Sequence, residues 1–174
     1  MLRRLAFLPR GWIVWGAAAL LLAAACGVTL PAWADDAPGN RATLKGIPAV
    51  KLVVAPTILE GEWDRLRTDE LETDVERRLR EAGIAVLPSA TEVLYIEVEA
   101  RKTSGSPRYA CSTRVELLQS VSLVREPGLT VFAPTWGLGR VEEVSAYNLR
   151  SLRVTVGELV DSFIQAYREQ NPKR

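Results

Sequence analysis

Residues 68–88 read TDELETDVERRLREAGIAVLP, and this stretch decides the fold class. A helix is predicted because apolar residues recur at steps of three and four, which places them on one helical face: Leu71, Val75, Leu79 and Ala82. Thr68 is in position to cap the start of this helix, and Gly83 is a typical residue at its end. The apolar run 84–87 then predicts a short strand.

Strands are predicted on both sides of that helix. The β-branched run 50–54 precedes it, and a strand–helix–strand succession favours parallel pairing of the two strands. Downstream, the period changes to two over residues 93–101 and 109–125, which predicts half-exposed antiparallel strands. Residues 126–129, with a central Pro-Gly pair, predict a type II turn into a return strand over residues 130–136.

A second amphipathic helix is predicted from Leu149 to about Gln170, with Asn148 as its N-cap. No element is assigned to residues 137–148, which are expected to form a loop. The element order is therefore β-α-β-β-β-β-α. We predict an α+β (mixed α/β) domain in which two helices pack on one face of a mixed, mostly antiparallel sheet.

The first 34 residues have the pattern of a signal peptide. Three arginines precede residues 11–30, which carry no charge, and Ala32-Trp33-Ala34 offers the small residues of a cleavage site. We expect cleavage before Asp35, a flexible tether over residues 35–48, and a single domain over residues 49–172. The expected location is the periplasm or the medium outside the cell.

Two alternatives for this leader remain open. Residues 11–30 are long enough to span a bilayer as an uncleaved anchor. Lipidation at Cys26 is the other, although Leu22 stands one position earlier than lipoprotein signals place their leucine. Either alternative would bind the protein to a membrane.

Composition excludes several chemistries. Residues 35–174 carry 19 basic and 21 acidic side chains, so the body of the protein has no general attraction for nucleic acid. The chain contains no histidine, which removes the commonest general base and most zinc sites. Cys111 has no histidine or second cysteine to activate it, so we expect a small buried residue. No cofactor and no metal are predicted.

Two groups of residues are candidates for a functional site. Glu97 and Glu99 share one face of a predicted strand and could form the carboxylate pair of a hydrolase of envelope carbohydrate. A solvated sheet face is the simpler interpretation. The tract 132–140 places Phe132, Trp136 and Arg140 near two glycines, which could form a recognition edge; alternatively, Trp136 caps the end of the core.

Residues 71–87 and the segments STRVELLQSVSLVREP, APTWGLG and LVDSFIQAYREQNP resemble a group of uncharacterised secreted bacterial proteins. This resemblance implies export and assigns no activity. The element order is similar to that of the N-terminal domain of the TolB translocation protein and of the LPS-assembly lipoprotein. That similarity implies a binding or assembly module rather than an enzyme.

From these observations we predict a non-enzymatic exported protein of the cell envelope that binds a protein partner or assists assembly. Two alternatives are a carboxylate-dependent hydrolase and a carrier of a small ligand or lipid. The carrier would need a cavity between the helices and the sheet.

Overall fold

The computed structural model describes residues 35–59 and 66–172, and these belong to one compact unit. The predicted leader, including Cys26, lies outside the described residues, as does Trp63. The elements in chain order are α1 (Pro38–Ala42), β1 (Ala49–Leu59), α2 (Thr68–Glu81), β2 (Ala85–Val86), β3 (Val93–Lys102), β4 (Arg108–Leu123), β5 (Glu126–Ser145), a 3₁₀ helix (Ala146–Ser151) and α3 (Leu152–Gln170).

The sheet has five strands in the order β2-β1-β3-β4-β5. β1 pairs in parallel with both β2 and β3, whereas β3–β4 and β4–β5 are antiparallel. The α+β class and the mixed sheet are therefore confirmed, including the parallel pairing of the strands on either side of α2. β5 lies at one edge of the sheet, and this position shapes the candidate site.

The core lies between the sheet and the helices. Strands β3 and β4 alternate between buried residues and half-buried or exposed ones, as their period-two pattern requires. Trp136 of β5 and Phe163 of α3 are the largest fully buried side chains, and their rings meet edge to face with centroids 5.2 Å apart. Gly83 ends α2 with a φ of 84°, as its position in the sequence predicts.

Residues 35–48 do not form the flexible tether that their composition predicted. Pro38 opens α1, and Leu44 and Ile47 are 0% and 5% exposed in the core. The Tyr167 hydroxyl donates to the Ile47 carbonyl at 2.8 Å, and the Asn171 amide donates to the Leu44 carbonyl at 2.9 Å. Proline and glycine made this segment resemble a linker, but proline is also favoured in the first turn of a helix.

The last strand and the last helix depart from their predicted bounds. β5 runs over Glu126–Ser145 rather than 130–136, and the tight turn lies at residues 124–125 rather than at the Pro-Gly pair. Proline is tolerated because β5 is an edge strand, whose outward N–H positions need no partner. A 3₁₀ helix replaces the expected start of the last helix, and Asn148 lies inside it in a non-helical conformation.

Candidate functional site

The three residues of the predicted recognition tract lie on β5 but do not share one surface. Phe132 is 54% exposed, Trp136 is fully buried, and Arg140 forms an ion pair with Glu158 of α3 at 2.5 Å. The register shifts at Thr135, because Leu117 opposes Trp136 whereas the next residue of β4 opposes Pro134. This bulge moves Phe132 to the sheet face opposite Arg140.

Trp136 closes the end of the core. Its indole Nε1 donates to Asp36 Oδ1 at 2.7 Å, and Arg41 binds the same carboxylate at 2.5–2.7 Å. Burial raises the pKa of Asp36, but the hydrogen bonds from Arg41 and Trp136 outweigh it, so the pKa of that carboxyl is lowered overall. Trp136 therefore joins the N-terminal segment to the sheet.

The most prominent surface feature is the end of the β4–β5 hairpin, residues 119–133, which we call the arm. β3 pairs with β4 only as far as Leu118, so beyond that point β4 and β5 pair with each other alone. Four large apolar residues of the arm are exposed: Val124 at 98%, Leu129 at 42%, Val131 at 38% and Phe132 at 54%. Isolated two-stranded hairpins are marginally stable in water, so such a ribbon gains from a covering surface.

The base of the arm is fixed by polar contacts to the N-terminal segment. The Thr135 hydroxyl donates to Gln119 Oε1 at 2.7 Å, and the Asn40 amide donates to the Thr135 carbonyl at 2.8 Å. Only Arg125 and Glu126 are charged within residues 119–133, and they are adjacent at the tip. The arm is thus an anchored, charge-poor ribbon suited to apolar contacts with another molecule.

Sequence reasoning found Phe132 but missed Val124, Leu129 and Val131. The scarcity of charge over residues 119–133 is a signal that could have identified the arm. The length of the hairpin was hidden by Pro127, Gly128 and Pro134, which read as the limits of a strand.

Glu97 and Glu99 lie on the sheet face that the helices leave uncovered. Glu97 Oε2 accepts from Arg114 Nε at 3.1 Å, and Glu99 Oε1 accepts from Arg101 Nε at 2.9 Å. The largest grooves lined by described residues lie along the helices and beside β1–β2, away from this pair. The pair has the partners of a solvated sheet face.

Cys111 is buried, and its Sγ lies 3.7 Å from the Tyr109 carbonyl. Burial, aided by the charge of Glu142, raises the pKa of this thiol to about 11. The thiol is therefore protonated at neutral pH. Within residues 35–59 and 66–172, no three His, Cys, Asp or Glu side chains are grouped as a metal ion would require, and no helix has the length and apolarity to cross a membrane.

The groove between α2 and α3 is lined mainly by charged side chains, among them Arg77, Arg168 and Glu81. Arg78 binds Asp161 across it at 2.7 Å, and Arg153 binds Asp74 at 2.6 Å. Under the helices, the described residues fill the space with a continuous apolar cluster. The groove is therefore an ionic seam between two helices.

No family model matches the chain, and no curated protein matches its sequence. A solved structure of the PelC dodecamer from Paraburkholderia phytofirmans is similar over 70% of this chain and 88% of PelC, with 14% identity and a TM-score of 0.39. A PelC variant from the same organism gives 69%, 87%, 16% and 0.40. A Xanthomonas campestris protein described by the family model DUF330 is 17% identical over 79% of this chain and 85% of its own, with a TM-score of 0.26.

Proposed function

We propose that this protein is an exported, non-enzymatic binding module of the cell envelope that contacts a protein partner through the arm. The single observation behind the proposal is the exposure of Val124, Leu129, Val131 and Phe132 on a ribbon that extends past the rest of the sheet. Monomeric proteins rarely leave contiguous apolar surface uncovered, and such patches mark interaction sites.

Export is the part of the proposal that rests on the sequence alone. Three arginines, the uncharged residues 11–30 and the Ala-Trp-Ala triplet support a leader that is removed before Asp35. Intact mass of the protein recovered from the envelope of its host tests this. A chain starting at Asp35 supports release, whereas one starting at an acylated Cys26 or retaining the leader indicates membrane attachment.

The chemistry of the arm favours a protein over an ionic ligand. Only Arg125 and Glu126 are charged within the arm, and their charges cancel. Aromatic and aliphatic side chains on a rigid element are the usual anchors of protein interfaces. The similarity in element order to the TolB N-terminal domain and the LPS-assembly lipoprotein is in keeping with such a role and stays a prediction.

The test is site-specific photocrosslinking in the native host. A photoreactive phenylalanine analogue at position 132 should give a discrete adduct with one envelope protein. Leu87, which is 48% exposed on the other side of the sheet, is the matched control position and should not give that adduct. Equal adducts at both positions, or none at position 132, would contradict the proposal.

A second experiment separates binding from folding. Phe132→Ser and Leu129→Ser together should weaken the isolated complex at least tenfold, because two apolar anchors are lost. The same substitutions should leave the urea midpoint nearly unchanged, since both side chains are largely exposed. Trp136 is unsuitable for this purpose because its replacement would open the core.

A further inference from the structure

The outer edge of β5 is open over the half of the strand that follows the arm. β5 pairs with β4 on one side and is the last strand of the described sheet. An antiparallel edge strand directs alternate backbone N–H and C=O groups outward, where they can pair with another strand. Asn40 covers the edge at the Thr135 carbonyl, which leaves residues 137–145 beyond it.

Two exposed β-branched side chains lie along this part of the edge. Val141 is 80% exposed on the uncovered face of the sheet, opposite Ser112 of β4. Val154 is 62% exposed on α3, one turn before Glu158, which binds Arg140 of β5. Apolar surface therefore lies on both faces of the open edge, whereas edge strands that stay unpaired usually carry inward charges or lysines.

We propose that a second copy of this chain pairs with this edge, β5 antiparallel to β5, about a two-fold axis through Val141. The pairing would join the two sheets into one and cover the outward backbone groups of residues 137–145 in both copies. Val141 would then meet its own counterpart across the axis.

The charges of the strand select this register. In a two-fold antiparallel pair, residues equally distant from the axis face each other. An axis at Arg140, Glu142 or Glu143 would place a charge against itself, which is unfavourable. An axis at Val141 instead places Arg140 of each copy opposite Glu142 of the other, and Gly139 opposite Glu143.

Both members of the new ion pair lie on the same face of the sheet. Arg140 opposes the buried Thr113 and Glu142 opposes the buried Cys111, so both side chains point to the helix side. Arg140 binds Glu158 through Nη1, and Glu142 accepts from Thr155 through Oε1. A guanidinium carries five N–H donors and a carboxylate two oxygens, so each can bind one more partner.

Registers displaced further along the strand are less favourable. An axis at Gly139 would place Glu142 against Trp136, where α1 already packs on the edge. An axis at Val144 would leave almost no strand to pair, because β5 ends at Ser145. This edge is separate from the arm, so the inference stands independently of the proposed function.

The test is sedimentation velocity on the protein as purified from the envelope. The native chain should sediment as a dimer, and Arg140→Glu or Glu142→Arg should each raise the dissociation constant at least tenfold. The double variant Arg140→Glu, Glu142→Arg should restore the dimer, because opposite charges face each other again. Arg77→Glu, a charge reversal on the exposed face of α2, is the control and should leave the dimer unchanged.

Crosslinking tests the position of the axis. Val141→Cys should form an intermolecular disulfide on mild oxidation, since directly opposed residues of antiparallel strands lie within disulfide reach. Val124→Cys, at the exposed tip of the arm, should remain monomeric on a non-reducing gel. A monomeric native chain, single charge reversals that stay dimeric, or a dimer in which Val141→Cys does not crosslink would each overturn the inference. Phe132→Ser should leave the dimer intact, which distinguishes this interface from the arm.

Discussion

At the scale of single residues, the core contains a polar group that its packing does not satisfy. Thr113 is fully buried, and its hydroxyl has no hydrogen-bond partner among the described residues. A buried hydroxyl without a partner costs about 1–3 kcal/mol by mutational measures. Thr113 lies below α3 in the strand that carries Cys111, and the alternation of β4 requires it to point inward.

Replacing Thr113 by valine should raise the free energy of unfolding by about 1 kcal/mol, because the shape is kept and the unsatisfied hydroxyl is removed. Urea denaturation followed by circular dichroism measures this change. Thr113→Ser, which keeps the hydroxyl and loses a buried methyl group, is the control and should be destabilising. A less stable valine variant would show that the hydroxyl has a partner in solution.

Gly157 in the middle of α3 is set by one neighbouring side chain. A Cβ at this position would lie 2.9 Å from Arg78 Nη2, and Arg78 binds Asp161 over the glycine at 2.7 and 2.9 Å. The guanidinium is the end of a flexible side chain and can move aside. Gly157→Ala therefore exchanges an exposed ion pair for helix propensity.

Alanine gains about 1 kcal/mol over glycine inside a helix, and an exposed ion pair contributes about 0–1 kcal/mol. Gly157→Ala should therefore change stability little in the native background. In the background of Arg78→Ala it should stabilise by the full value of about 1 kcal/mol. A double-mutant cycle on unfolding free energies measures the difference, and equal effects in both backgrounds would show that Arg78 does not press on this position.

At the scale of elements, α1 and the residues after it are part of the domain. Leu44 and Ile47 fill the core, and Asn171 at the end of α3 binds the Leu44 carbonyl. Asp36 receives hydrogen bonds from Trp136 and Arg41, which holds the chain before α1 against β5. This segment therefore stabilises the base of the arm as well as the helices.

Leu44→Ala should lower the free energy of unfolding by about 2–5 kcal/mol, the range for emptying a packed leucine site. Leu87→Ala is the matched control: Leu87 is 48% exposed, and its loss should cost less than about 0.5 kcal/mol. Chemical denaturation of both variants gives the comparison. A small effect at Leu44 would restore the interpretation of residues 35–48 as a tether.

At the scale of the whole molecule, acid stability follows from the carboxylates. The pKa of Asp74 is lowered by its hydrogen bond from Arg153, and that of Asp36 is lowered by Arg41 and Trp136 in spite of burial. Both carboxylates have a folded pKa below the value near 3.8 of the unfolded chain. Their contribution is therefore fully present above that value and is lost as the pH falls through the folded pKa.

We expect stability to be nearly constant between about pH 6 and 8, because the chain has no histidine to titrate there, and to fall below about pH 4. Urea midpoints measured from pH 2.5 to 8 test this profile. Asp36→Asn should be less stable at pH 7 and should converge with the native protein at the acid end. A constant difference at every pH would show that the charge of Asp36 contributes nothing.

The sequence by itself determined the elements whose pattern is local. The amphipathic stripe of α2, the alternation of β3 and β4 and the stop at Gly83 depend on neighbours a few residues away, and their period decides which face is buried. The α+β order followed from these elements. The absence of histidine and the composition of the leader are likewise properties of the sequence alone.

Tertiary structure decided what depends on distant neighbours. β5 continues through its prolines and glycines because it lies at a sheet edge, and the bulge at Thr135 places Phe132 and Arg140 on opposite faces. Leu44 is a core residue because α3 lies beside it. The site could be predicted only in part, since exposure is the difference between what a side chain offers and what the rest of the chain covers.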